Sequence, residues 1–187
     1  MPLLESIEKN FSIIKTNTVV IKGVNDDEVI DIINHMRNFK SEIRFIEYMD
    51  VGESNKWDPS KVVSSESLLE RISEHCILKQ MKTETSSTAK KWHIKDSNSS
   101  IGLISSITQP FCSSCNRARL SVDGKLFTCL FASNGFDIKS VIRSVDYEEK
   151  LLELFKKIWM ERSDQYSQIR FTSKRDLPKV EMSYIGG

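Results

Sequence analysis

No apolar run in this chain approaches the roughly 18 residues that a helix needs to cross a bilayer. The opening residues, Met1-Pro2-Leu3-Leu4-Glu5-Ser6, lack the basic and apolar stretches of a secretory signal. An excess of charge of one sign is missing too. Lysine and arginine number 27 against 26 acidic residues, and a net charge of +1 gives no reason to expect nucleic acid or a membrane surface as partner. There is no internal repeat. Histidine is scarce: His35, His75 and His93 are the whole supply. Four cysteines could make two disulfides, but without an export signal the expected compartment is reducing. In that setting cysteine spacing reads as metal or redox chemistry.

What is present fits a soluble α/β protein of 187 residues, enough for one domain, or one and a part, with a real core. Residues 16–22 are β-branched and predict a buried strand ended by Gly23. Asn25-Asp26-Asp27-Glu28 opens a helix, because carboxylates favour the positive end of the dipole. Val29, Ile32, Ile33 and Met36 then give it one apolar stripe. Ile43 to Met49 predicts a second strand, so strand, helix and strand form a βαβ unit with parallel pairing.

After Asp50 the character changes. Residues 50–65 read as a loop, followed by a helix with Leu68, Ile72 and Cys76 on one face. That position explains Cys76 as a small apolar core residue. Trp92-His93-Ile94 predicts a short strand, Ile101 to Thr108 another, and Tyr147 to about Arg162 a long amphipathic helix marked by Leu151, Leu154, Phe155 and Ile158. The domain boundary falls near Asp50: residues 1–50 end a larger α/β domain, and residues 51–187 form an α+β domain.

The chemistry concentrates in Cys112-Ser-Ser-Cys115-Asn-Arg117-Ala118-Arg119-Leu, with Cys129 following. Thiolates are soft ligands for zinc or an iron–sulfur cluster, and a guanidinium fork matches phosphate oxygens. Three thiolates are one short of the usual four, and no histidine is near in sequence, so an open coordination position is expected. Val122-Asp123-Gly124-Lys125 signals a hairpin. A two-residue turn would set Cys129 opposite Ala118. A three-residue loop with Gly124 left-handed would set it opposite Arg117, on the face that carries Arg119. Ligation needs the thiols of Cys115 and Cys129 to converge, so the three-residue loop is expected.

These blocks, with Asn17-Thr-Val-Val-Ile-Lys-Gly-Val-Asn-Asp, Ile43-Arg-Phe-Ile-Glu-Tyr-Met, Asp123-Gly-Lys-Leu, Cys129-Leu-Phe and the terminal Gly-Gly, resemble the C-terminal half of the GTP 3',8-cyclases. These are radical S-adenosylmethionine enzymes of molybdenum cofactor biosynthesis. The resemblance implies that residues 1–50 are the last βαβ part of an incomplete (β/α) TIM-type barrel, and that residues 51–187 bind iron–sulfur and GTP. It implies a [4Fe–4S] cluster on Cys112, Cys115 and Cys129, and GTP contacts from Lys15, Arg44, Arg117, Ala118 and Arg119. Met49 matches the position that touches S-adenosylmethionine. Arg117, Arg119 and the terminal Gly186 and Gly187 match catalytic positions. The family's Cys-x-x-x-Cys-x-x-Cys, which serves radical generation, is absent from these 187 residues. The expected partners are therefore GTP and a missing N-terminal half or a second copy. The expected compartment is the cytoplasm, or the mitochondrial matrix in a eukaryote. The competing reading is a zinc-binding interaction module on the same cysteines.

Overall fold

The computed structural model describes residues 2–163, 166–169 and 179–185. They form two compact units. One comprises the chain up to Met49 together with Asp58–Phe111, the other the described residues of Asp50–Trp57 and Cys112–Gly187. None of the described helices is long and apolar enough to cross a membrane.

The first unit begins with α1 (Pro2–Asn10), which the sequence reading did not anticipate. It continues through β1 (Ile14–Val20), α2 (Val29–Met36), β2 (Ser41–Glu47), α3 (Ser65–Ser73), β3 (Leu78–Gln80), β4 (Lys90–Ile94) and β5 (Ser100–Ile104). The five strands lie in the order β1-β2-β5-β4-β3. β1, β2 and β5 run parallel, while β4 is antiparallel to β5 and to β3. The architecture is mixed α/β, and β1–α2–β2 is the expected parallel unit.

Strand alternation separates two faces. Ile43, Phe45, Ile101 and Leu103 are at most 1% exposed and pack with Val29, Ile33 and Met36 of α2 and with Leu68 and Ile72 of α3. Cys76 lies in the same cluster, past the end of α3, as a core residue. A side chain makes the start of α3: the Ser64 hydroxyl accepts the Ser67 N–H at 3.1 Å, whereas α2 has no side-chain cap. On the other face of β2 lie Glu42 and Arg44, in register with Lys15 and Asn17 of β1.

β1 and β2 each start two residues earlier than expected. Ile14 is buried and belongs to the core, so β1 includes Lys15 as its second residue. β2 starts at Ser41, whose hydroxyl donates to the Met36 carbonyl at 3.0 Å and joins the strand to the end of α2. It stops at Glu47, so Met49 lies two residues beyond the strand rather than ending it. β5 stops at Ile104 instead of Thr108, because the Glu47 carboxylate takes the N–H groups of Ile107 and Thr108, each at 2.8 Å.

The second unit contains β6 (Arg119–Leu120), β7 (Lys125–Phe127) and β8 (Phe136–Asp137) as an antiparallel sheet. It also holds α4 (Lys139–Ile142), α5 (Tyr147–Met160) and α6 (Tyr166–Ile169). α5 is the expected long helix, but of its apolar stripe only Ile158 is fully buried.

Candidate functional site

The cysteine block is built on a short hairpin. Arg119 pairs with Phe127 and Leu120 with Leu126. Continuing that register sets Ser121 against Lys125, and the Ser121 N–H donates to the Lys125 carbonyl at 2.9 Å. The loop is therefore the expected three-residue one, with Gly124 left-handed at φ 84°. Glycine is doubly required there, because a Cβ at Gly124 would lie 2.6 Å from Cβ of Lys139. The Gly124 carbonyl in turn accepts from Ile138 and Lys139, at 2.9 and 3.1 Å, and so anchors the start of α4.

The register is the expected one, but the ladder stops after Arg119 and Phe127, before it reaches Arg117 and Cys129. Neither residue is in a strand, so Arg117 does not project from the strand that carries Arg119. Beside the end of the ladder lies a side chain that sequence reading missed. Arg162 donates from Nη1 to the Cys115 carbonyl and from Nη2 to the Thr128 carbonyl, each at 2.6 Å. Beyond Thr128 the Cys129 carbonyl accepts from Ala132 at 3.2 Å, which turns the chain away. Arg162 follows α5 as a single arginine with no motif around it. The only sequence signal is its i, i+3 spacing from Trp159, over whose ring its Cζ lies at 5.0 Å.

All four cysteines are free thiols. Cys112 opens a single 3-10 turn, Cys112–Ser114, and its carbonyl accepts the Cys115 N–H at 3.1 Å. The Cys115 sulfur accepts from Nη2 of Arg117 at 3.2 Å. The Cys129 sulfur accepts from the Phe131 N–H at 3.5 Å. Burial by itself would push the Cys115 thiol up. Hydrogen bonds from the Arg117 backbone and from the guanidinium groups of Arg162 and Arg117 outweigh it and hold the thiol below its ordinary value. Arg119 is also lowered, first by burial and then by the charge of Arg117, while Cys115 and Cys129 both oppose the shift. Arg119 thus lies within electrostatic reach of two of the three thiols.

This donor set suits a soft metal: free thiols, N–H groups directed at two of the sulfurs, and one thiol acidified by its surroundings. Among the described residues, no three His, Cys, Asp or Glu side chains are drawn together closely enough to hold a metal ion. Neither Cys76 nor a histidine completes such a group among them.

The remaining candidates lie elsewhere in the chain. Lys15 is exposed on β1, opposite Glu42 of β2. Arg44 is half-buried, and its Nε donates to the Glu42 carboxylate at 2.6 Å, while Lys91 of β4 donates to the other carboxylate oxygen at 2.9 Å. Sequence reading missed this buried carboxylate between two cations, because pairing across strands is not visible in one strand. Met49 follows β2. Gly186 and Gly187 lie outside the described residues, but the segment before them is held in the second unit. The Tyr184 hydroxyl donates to Asp123 of the hairpin loop at 2.7 Å, and Ile185 is 1% exposed. Hydrogen bonds from Ser121 and Tyr184 hold the Asp123 carboxyl down at about 2.

Comparison with known families decides the affiliation of this arrangement. The model of the family described as Molybdenum Cofactor Synthesis C matches residues 41–168, which include all three cysteines of the block and both arginines beside them. The chain belongs to the Molybdenum Cofactor Synthesis C family. That membership connects it to the synthesis of the molybdenum cofactor. Its relatives include the GTP 3',8-cyclases of Staphylococcus aureus strains JH9 and Newman. Each is 43% identical over 193 aligned residues, which cover 99% of this chain. The chain spans 57% of the length of those curated relatives. Within this Molybdenum Cofactor Synthesis C chain, the hairpin and the arginines around its thiols are the part with distinctive chemistry.

Proposed function

We propose that this chain is the cluster-binding and GTP-contacting portion of a GTP 3',8-cyclase, and that it does not turn over alone. The observation that carries the reading is the company of the Cys115 thiol. It accepts from Arg117, while Arg119 is in electrostatic reach of both Cys115 and Cys129. Thiolate ligands and guanidinium groups around one point suit a metal that meets an oxygen-rich, anionic substrate.

In this reading Cys112, Cys115 and Cys129 hold a [4Fe–4S] cluster. Bound there, the cluster would supply one iron without a protein thiolate, open to a donor atom of the guanine base. Arg117-Ala118-Arg119 contacts the nucleotide, and the arginine donors around Cys115, which hold its thiol below the ordinary value, favour the thiolate form that a metal ligand needs. Lys15 and Arg44 add cationic contacts to GTP. For Arg44 the Glu42 bond on Nε leaves both terminal nitrogens available to an oxyanion. Met49 touches S-adenosylmethionine, and Gly186 and Gly187 assist catalysis from the chain end. The parallel strands β1, β2 and β5 belong to a (β/α) barrel. The radical-generating Cys-x-x-x-Cys-x-x-Cys does not occur in these 187 residues.

Anaerobic reconstitution with iron and sulfide tests the reading. Broad visible absorption that is lost on Cys112→Ser is expected. So is GTP binding that weakens with salt and disappears when Arg117 and Arg119 are replaced together. Adding the N-terminal half of a homologous cyclase, with S-adenosylmethionine and reductant, should then restore GTP cyclisation. Stoichiometric zinc with no bound iron would instead establish the zinc module.

A further inference from the structure

We infer that Arg162 is a positioning residue for the metal centre: its guanidinium sets the spacing between the two chain segments that carry Cys115 and Cys129. The inference rests on the cluster reading above.

The hairpin itself cannot set that spacing. Its ladder contains two residue pairs and ends at Arg119 and Phe127, short of both cysteines. Beyond the ladder one side chain reaches both segments. Arg162 Nη1 meets the carbonyl of Cys115, and Nη2 meets the carbonyl of Thr128, the residue before Cys129. The guanidinium is planar and its donors have fixed directions, so two 2.6 Å bonds from one group define the distance between the two carbonyls.

Arg162 is itself held in place. It stacks over Trp159 of α5, and the neighbouring Ile158 is 4% exposed and anchors the helix. α5 thereby delivers a rigid fork to the cysteine hairpin. Lysine could not replace it, since a single ammonium cannot present two nitrogens in one plane to two carbonyls. Groups that orient a metal's ligands without touching the metal change affinity by about 10–100-fold when removed. Arg162 is placed to have an effect of that kind.

The test uses the full chain with Arg162→Lys and Arg162→Gln. Each protein is reconstituted anaerobically with ferrous iron and sulfide, and iron and labile sulfide per chain are measured. Release of iron to a chelator is then timed, with a circular dichroism melt of each protein alongside. The expected result is that Arg162→Lys melts close to wild type yet releases iron about tenfold faster or more. A second readout needs no metal. With Cys76 and Cys112 replaced by serine, a short bifunctional thiol reagent should bridge Cys115 and Cys129 in lower yield when Arg162 is lysine.

Variants that keep wild-type iron release and wild-type cross-linking overturn the inference and leave the cluster reading intact. Iron loss that only follows the unfolded fraction, with cross-linking unchanged in the folded chain, overturns it too. A wild-type chain that takes up no iron overturns the cluster reading and the inference with it.

Discussion

Glu47→Ala removes a fully buried carboxylate from the end of β2, where it accepts four hydrogen bonds. Oε1 accepts from the Ser65 N–H at 2.8 Å and from the Thr108 hydroxyl at 2.5 Å. Oε2 accepts from the N–H groups of Ile107 and Thr108, each at 2.8 Å. Alanine strands these donors unequally. The Ser65 N–H lies in buried surroundings, and leaving it without an acceptor costs about 1–3 kcal/mol. Ile107 and Thr108 are more exposed, water can reach their N–H groups, and together they add about 1 kcal/mol. Loss of packing around the removed methylenes adds about 1 kcal/mol, while relief of carboxylate desolvation subtracts a similar amount. The sum is about 3 kcal/mol.

At about 2–4 °C per kcal/mol for a chain of this size, the melting temperature should drop by about 6–12 °C. Thermal and urea unfolding followed by far-UV circular dichroism would measure it, with the urea slope unchanged if only stability has moved. Glu47→Gln is the sharper control. Its amide oxygen can keep Ile107 and Thr108, but its NH₂ then faces the Ser65 N–H, donor against donor. It should fall between alanine and wild type. A Glu47→Ala chain melting within about 2 °C of wild type would refute the reasoning.

Glu42 makes a prediction about pH. Burial raises its carboxyl value, but hydrogen bonds from Lys91 and Arg44 outweigh that and hold it below the ordinary 4.5. A lowered folded value means the carboxylate's contribution is complete above 4.5 and is lost as pH falls through the folded value. The melting temperature of wild type should therefore decline more steeply below pH 4.5 than that of Glu42→Gln, and parallel curves would exclude the ion-pair account. Gly124→Ala forces a side chain into positive φ and against Lys139, at a cost of about 1–3 kcal/mol. It should lower the melting temperature and weaken iron retention together, and an unchanged melt would show that the loop has another shape.

Legibility followed the range of the interactions. The βαβ unit was readable because β-branched strands and a 3.6-residue stripe repeat along the chain. The stripe of α2 and Ile43 and Phe45 of β2 fill the core. Of residues 16–22, read as a buried strand, only Val20 does, because β1 turns alternate residues outward. Strand ends were less readable. β2 ends where it does because the side chain of Glu47 reaches residues about sixty positions on, which no local pattern encodes. α1 and β3 went unseen: α1 begins at the chain end without a capping signal, and β3 has three residues. The hairpin register was derivable, since Asp123-Gly124 constrains loop length and convergence of two thiols selects the parity.

By itself the sequence determined the chemical kind of the block: three thiols, two guanidinium groups beside them and a glycine at a left-handed turn. Residue type and close spacing are sufficient for that, because a hairpin is a local structure. The tertiary structure decided what surrounds those thiols. Arg162 comes from beyond the far end of α5 to take the carbonyls next to two cysteines, and Tyr184 comes from near the chain end to Asp123. All three bonds join residues that only packing brings together. The acidity of Cys115, set by burial and by arginine donors that include one 47 residues away, is for the same reason a property of the fold.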